Sequence, residues 1–223
     1  MNYSVQLKKI EFITRDVLRL VTEKPEGFAF TPGQATELAI DKDGLREDKR
    51  PFTFTSLPED TELEFTIKIY PSHNGVTEKI EELKVGDALL IGDAWGAINY
   101  QGVGTFIAGG AGITPFVAIL KDLNRQNKLA GHKLFFANKS EKDIIYKQNL
   151  EAWLGNDFYN ILSEQKSKKY AHGRIDKKFL ESYHLDISKK VYLCGPPPMM
   201  KSLQSDLYAM GISKNQLIAE DLA

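Results

Sequence analysis

The chain has 223 residues, 42% hydrophobic and 26% charged, with 29 Lys and Arg against 30 Asp and Glu and a single cysteine. A domain commonly holds about 100–200 residues, so this length suits one large domain or two small ones, and the apolar fraction excludes disordered and fibrous classes. The net charge of −1 argues against nucleic-acid binding through a large basic surface, and one cysteine excludes an internal disulfide or a four-cysteine metal site within these residues.

Met1-Asn2-Tyr3-Ser4-Val5 lacks the basic-then-apolar layout of a signal peptide, and no apolar run approaches the roughly 18 residues needed to span a bilayer. The expectation is a soluble, cytoplasmic protein with no membrane span.

The first hundred residues read as strands. Val5, Leu7 and Ile10 begin an apolar rhythm that Val17-Leu18-Arg19-Leu20-Val21 continues. Leu63, Phe65, Ile67 and Ile69 alternate with Glu64, Thr66, Lys68 and Tyr70, which is the period of a strand with one buried face. Turn signals at Thr31-Pro32-Gly33, Asp41-Lys42-Asp43-Gly44, Leu57-Pro58-Glu59-Asp60 and Val85-Gly86-Asp87 separate these runs. Short strands so spaced suggest an antiparallel barrel, with one short helix near Thr77–Leu83.

From Thr105 the rhythm changes. Apolar runs at 105–108, 133–137, 158–162, 191–194 and 216–219 alternate with helical patterns at 115–126, 143–154, 176–183 and 198–210. Such alternation implies a parallel sheet covered on both faces. The fold class expected is therefore a two-domain chain: an antiparallel β-barrel over residues 1–101 and an α/β, Rossmann-like parallel-sheet domain over 102–223.

Three constellations carry chemistry. Gly109-Gly110-Ala111-Gly112-Ile113-Thr114-Pro115 lies between a strand and a helix, where glycines let backbone approach a ligand and free N–H groups of Gly112, Ile113 and Thr114 could meet a pyrophosphate. It departs from the G-x-G-x-x-G pattern at Pro115, and alone it serves equally well as a tight turn. Cys194-Gly195-Pro196-Pro197-Pro198-Met199-Met200 occupies a second strand-to-helix junction, with Cys194 either a core thiol or a residue facing the same crevice as Gly112. In the first half, Arg50-Pro51-Phe52-Thr53-Phe54-Thr55-Ser56 offers a phosphate-pairing guanidinium beside flat rings and hydroxyls. Gly75-Val76-Thr77 forms a second possible anion cradle. His73, His132, His172 and His184 lack metal-ligand spacing, so no metal is expected.

In order, Arg50-Pro51-Phe52-Thr53, Gly75-Val76-Thr77, Gly110-Ala111-Gly112-Ile113-Thr114-Pro115 and Cys194-Gly195-Pro196-Pro197-Pro198-Met199 resemble the ferredoxin–NADP reductase superfamily. The resemblance covers the whole chain and is nearest to flavodoxin/ferredoxin reductases and NADH–cytochrome b5 reductases. It implies FAD as cofactor and NADH or NADPH as substrate, with hydride passing to flavin N5 and electrons to a carrier protein such as ferredoxin or flavodoxin.

By the same resemblance, Arg50 and Pro51 would border the flavin pyrophosphate. Phe52 would stack on the flavin where the family usually has Tyr, and Thr53 would hydrogen-bond N5. Lys68, Tyr70, Gly75, Val76 and Thr77 would line the rest of FAD. Gly110, Ala111, Gly112, Ile113 and Thr114 would cradle the coenzyme pyrophosphate. Cys194, Gly195, Pro196 and Pro197 would border the nicotinamide, with Glu220 nearby. Thr53, Cys194 and Glu220 are the implied catalytic set. Many members close the flavin with an aromatic near Glu220, and Ala219–Ala223 holds none, which implies an open face or another cover. Glu164, after the third strand of the second half, favours NADH; the cations Lys139, Lys166 and Lys168, with the Ser140 hydroxyl, would be the candidates near the 2′-phosphate of NADPH. A free-flavin or ferric reductase and a non-catalytic nucleotide-sensing subunit remain as alternatives.

Overall fold

The computed structural model describes residues 3–70 and 76–220. Its first half is a six-stranded antiparallel sheet built from β1 (Tyr3–Thr14), β2 (Val17–Glu23), β3 (Ala35–Ile40), β4 (Arg50–Thr53), β5 (Glu62–Lys68) and β6 (Ala88–Ile91), in the order β4-β3-β6-β1-β2-β5. A bridge between Phe54 and Phe65 brings the two edge strands together and curls the sheet into a barrel. The strand alternation drives this closure: Leu63, Phe65, Ile67 and Ile69 are all buried and meet Leu7, Leu18, Leu20, Leu38 and Ile91 inside. Phe28, Phe30, Phe54 and Phe65 form the aromatic centre, with Phe30 and Phe54 stacked at 4.4 Å. A short helix, α1 (Val76–Glu81), plugs one end through Val76 and Ile80.

The second half is a six-stranded parallel sheet. It comprises β7 (Gly104–Gly109), β8 (Lys133–Asn138), β9 (Phe158–Leu162), β10 (Ala171–His172), β11 (Lys190–Cys194) and β12 (Leu217–Ala219), ordered β10-β9-β8-β7-β11-β12. Its helices are α2 (Thr114–Arg125), α3 (Lys147–Leu154), α4 (Lys177–Ser182) and α5 (Pro197–Ala209). Alternate residues of each strand enter two separate cores. Phe106, Leu134, Phe136 and Tyr192 pack under α2 and α3, while Ile107, Phe135, Val191 and Leu193 pack under α4 and α5. This is the two-domain architecture expected from the change of rhythm at Thr105. No described helix is long and apolar enough to cross a membrane.

Two local expectations change. The pattern at 143–154 is not one helix: a 3-10 turn at Glu141–Asp143 is closed by reciprocal Ser140–Asp143 hydrogen bonds, and α3 starts only at Lys147. Between them Tyr146 adopts left-handed backbone, with φ of 52°. The face of β5 opposite the barrel core is also not simply solvated, because Thr66 is 5% exposed. The second half covers it.

The joint between halves is anchored by Tyr192, whose hydroxyl accepts from the Gln101 N–H at 2.9 Å and donates to the Gly102 carbonyl at 2.7 Å. Burial pushes its phenol up to about 12, so it keeps its proton in both bonds at neutral pH. Next to it, His132 is fully buried, against the rings of Tyr100 and Phe106, with Nδ1 on the Leu129 carbonyl at 3.1 Å. Burial lowers its pKa, and Nε2 has no partner among the described residues.

A neutral His132 makes stability fall on the acid side. The unfolded imidazole takes its proton first as pH drops below about 6.5, so the contribution present above that pH is lost on further acidification. The urea midpoint is expected to drop between about pH 7.5 and about pH 5.5, and to drop less in His132→Asn, which has no ring to charge. Equal losses in both proteins would remove His132 as the cause.

Candidate active site

The strand order of the parallel sheet reverses at β7: β8, β9 and β10 extend to one side, β11 and β12 to the other. Ligands of open parallel sheets bind beyond the carboxyl ends at such a point. Cys194 pairs with Ala108 across β11 and β7, so the glycine loop and the proline loop leave the sheet side by side.

Their contact is backbone on backbone. A Cβ on Gly112 would lie 2.6 Å from the Gly195 nitrogen and closer still to the Cys194 carbonyl; a Cβ on Gly109 would strike the Met199 sulfur. Gly110, with φ of +51°, has open space where its side chain would be. One flank of the turn is therefore joined to the Cys194 loop, and another is free to receive a ligand.

The donors of this turn differ from the expected set. Gly110–Ile113 winds as a 3-10 helix before α2, and both the Thr114 N–H and its hydroxyl go to the Ala111 carbonyl, the hydroxyl at 3.0 Å. In a helix of i to i+3 bonds the later donors are spent inside the turn, so the Thr114 N–H does not stand free for a ligand. Pro115 sits in the first turn of α2, as its missing donor requires.

Beyond β11, Leu193 pairs with Ala219, which makes Cys194 and Glu220 neighbours at the carboxyl edge. Burial, reinforced by the Glu220 charge, pushes the Cys194 thiol up to about 12. Desolvation also raises the Glu220 carboxyl, although its side chain is exposed over much of its surface. Gly195 is half-buried, and Pro196 and Pro197 are exposed at the start of α5.

In the barrel, Arg50 and Pro51 are exposed on β4, and the Arg50 guanidinium donates to the Lys49 carbonyl at 2.7 Å. Phe52 is half-buried, with its ring partly over the barrel core, and Thr53 pairs with Ala35 of β3. Phe54 does not join Phe52 at the surface; it turns fully into the core, where Phe30 stacks on it. Lys68 holds Asp16 at 2.9 Å, and Tyr70 is exposed just past β5. Val76 points into the core, leaving Thr77 half-buried at the start of α1. Gly75 lies outside the described residues. The 3-10 glycine turn packs against β5, and β5 in turn lies beside β4, so the glycine loop and the Arg50–Thr53 strand flank the same barrel strand.

These residues suit the two groups the resemblance implies. An exposed guanidinium and a half-buried ring on one strand fit a flavin nucleotide, and a glycine turn open on one side before a helix fits a second pyrophosphate. Residues 2–90 match the family model of an FAD-binding domain, and residues 106–205 match that of an oxidoreductase NAD-binding domain.

The chain belongs to the ferredoxin–NADP reductase superfamily.

Among similar proteins, an NADH–cytochrome b5 reductase 1 of Arabidopsis thaliana is 31% identical, over 77% of this chain and 66% of its own length. The electron transfer component of toluate 1,2-dioxygenase from Pseudomonas putida is 28% identical, over 87% of this chain and 59% of its own. The chain thus spans about two thirds or less of these curated relatives. A ferredoxin NADP+ reductase from Neisseria gonorrhoeae, solved with bound FAD and NADP, shares the fold at a TM-score of 0.85 and 17% identity, covering 98% of each chain.

For this superfamily member the two glycines make opposite demands. Gly112→Ala forces backbone apart on both loops and is expected to cost about 1–3 kcal/mol with loss of coenzyme affinity. Gly110→Ala meets only the left-handed backbone penalty of about 1–2 kcal/mol and should keep the loops in contact. Thermal unfolding and NADH titration of both variants check this; a Gly112→Ala protein that binds NADH as tightly as Gly110→Ala would contradict the packing argument.

Proposed function

We propose that the chain is an FAD-dependent oxidoreductase that takes hydride from NAD(P)H onto flavin N5 and delivers electrons singly to a small carrier protein such as ferredoxin or flavodoxin. The observation that carries this reading is the contact of the glycine turn, at the switch point of the sheet, with β5 of the barrel, the strand beside which β4 carries Arg50-Pro51-Phe52-Thr53. The flavin, when bound, supplies the exchange between a two-electron donor and one-electron acceptors.

The chain's own residues orient and insulate. Arg50 grips the flavin pyrophosphate beside Pro51, and Phe52 covers one face of the ring without the hydroxyl a Tyr would add. Thr53 directs its hydroxyl at N5, while Lys68, Tyr70, Val76 and Thr77 border the remainder. The open flank at Gly110 and Ala111 receives the coenzyme pyrophosphate, and Gly112, Ile113 and Thr114 shape the turn that presents it. Cys194, flanked by Gly195, Pro196 and Pro197, packs beside the nicotinamide as a neutral thiol, with Glu220 at its edge. Reacting atoms must approach to about 3–3.5 Å, so placement is the main contribution of this scaffold. The division of labour follows residues 1–101 for the flavin and 102–223 for the coenzyme.

NADH is the proposed coenzyme. Glu164 lies just past β9 and pairs with Lys139, just past β8, at 3.2 Å, so one of the candidate cations for a 2′-phosphate is already neutralised by an acid. The similar proteins are named for cytochrome b5 and for electron transfer in a dioxygenase system, two different acceptors. No nucleic-acid or membrane partner enters the proposal.

A visible spectrum of the purified protein, followed by anaerobic titration with each coenzyme, tests the reading. Retained flavin bands, bleached by NADH at lower concentration than by NADPH, are expected. Colourless protein that reduces added flavin would favour a free-flavin or ferric reductase, and retained flavin bleached by neither coenzyme would favour a nucleotide-sensing subunit. Cys194→Ala should slow flavin reduction in the stopped flow. Because the thiol is pushed up to about 12, the wild-type rate should show no thiolate limb below about pH 10. A limb near the ordinary thiol pKa would place Cys194 in water, against the packing described.

A further inference from the structure

Tyr146 crosses from the nucleotide sheet to the flavin barrel. Its hydroxyl donates to Glu64 Oε1 at 3.0 Å and lies 2.9 Å from Thr66 Oγ1, both on β5. The same Glu64 oxygen accepts from the Thr55 hydroxyl at 3.0 Å, and Thr55 lies 3.2 Å from Thr66. The other Glu64 oxygen is held by Arg19 of β2, through Nε at 2.7 Å. Thr55 stands two residues beyond Thr53 on the chain that carries Phe52. One hydroxyl of the second half is thereby tied into a network spanning β2, β5 and the end of the flavin strand.

The backbone marks the same point. Tyr146 holds a left-handed φ of 52° between a 3-10 turn and α3, a conformation that is strained for a bulky residue. The surrounding contacts determine it from both sides. Asp143, three residues earlier, is buried and pairs with Arg15 of the β1–β2 turn at 2.9 Å. Beside the tyrosine runs an interdomain crevice of about 710 Å³, with Arg19, Thr55 and Glu64 on the barrel side and Val117, Lys121 and Trp153 on the sheet side. Close packing does not fill this part of the joint, so directional bonds set its width.

We propose that Tyr146 is a positioning residue whose hydroxyl fixes the separation of the two halves, and through it the approach of nicotinamide to flavin. This rests on the oxidoreductase reading above. Tyr146 takes no part in the chemistry, so its loss acts on orientation and not on coenzyme capture.

The test uses FAD-loaded wild type, Tyr146→Phe, Thr66→Val and the double variant. Two readouts are needed. By hydrogen–deuterium exchange, requiring no turnover, Tyr146→Phe should exchange faster in both β5 and residues 139–146, while β7 and β11 stay protected. In anaerobic stopped flow, Tyr146→Phe should lower the limiting rate of flavin reduction about tenfold and weaken the long-wavelength NADH–flavin charge-transfer band, with the NADH dissociation constant unchanged. Thr66→Val should reproduce both effects in part, and the double variant should add little to Tyr146→Phe alone. A lowered unfolding temperature with wild-type limiting rate and charge-transfer band would show a merely structural tyrosine and overturn the proposal. Unchanged exchange on the barrel side would overturn it equally. A wild-type flavin that neither coenzyme bleaches would instead sink the oxidoreductase reading, and the exchange experiment would still decide whether Tyr146 holds the joint.

Discussion

Two backbones touch where β7 and β11 end, and the rest of the site depends on that contact. Gly112 lies so close to the Cys194 carbonyl and the Gly195 nitrogen that no side chain fits between them. Once these loops are joined, the glycine turn has one open flank. The thiol of Cys194 is then drawn out of water, and Glu220 falls next to it through the pairing of β11 with β12. Each property of the cleft follows from parallel strands ending together at a reversal of strand order. A wider loop at 112 would dissolve all of them at once.

The barrel meets this cleft through polar chemistry more than through apolar burial. Val17 and Ile98 join the core under α2, but much of the remaining joint is directional. Arg15 pairs with Asp143, Lys121 with Asp60, Arg125 with Glu59, and Tyr146 reaches Glu64 and Thr66. Exposed ion pairs such as Lys121–Asp60 contribute little, because water screens them. The shielded bonds of Tyr146 and Asp143 lie where the crevice leaves the halves unpacked, and there the exact length of a hydrogen bond determines how far one domain stands from the other.

Much of this was legible in residue order. The period-two run from Leu63 to Ile69 and the strand–helix rhythm after Thr105 are direct consequences of which faces are buried, so both sheets could be read before any coordinates. The motif loops were legible for a similar reason: glycine and proline carry their backbone constraints with them. The direction of a donor was not. Whether Thr114 points its N–H at a ligand or at Ala111 depends on a 3-10 turn that differs from an α-turn by one hydrogen bond. Phe54 likewise sinks fully into the core while Phe52 stays half-buried over it, because Phe54 bridges Phe65 where the barrel closes, a long-range contact that strand alternation does not encode.

Tyr146 shows where reading along a chain stops. Ile144-Ile145-Tyr146 looks like the apolar start of a helix, and its apolar character would be satisfied by one. What breaks the helix is Asp143, claimed by both Ser140 and Arg15, followed by a tyrosine drawn toward a carboxylate 82 positions away in the chain. Neither partner is visible from the local pattern, since Glu64 reads as one more outward-facing charge on a barrel strand. A carboxylate that already has an arginine, on a strand face that should be wet, acquires meaning only when a second domain covers it. The polar face of β5 is then no longer the outside of a barrel. It is the inside of a joint between two halves.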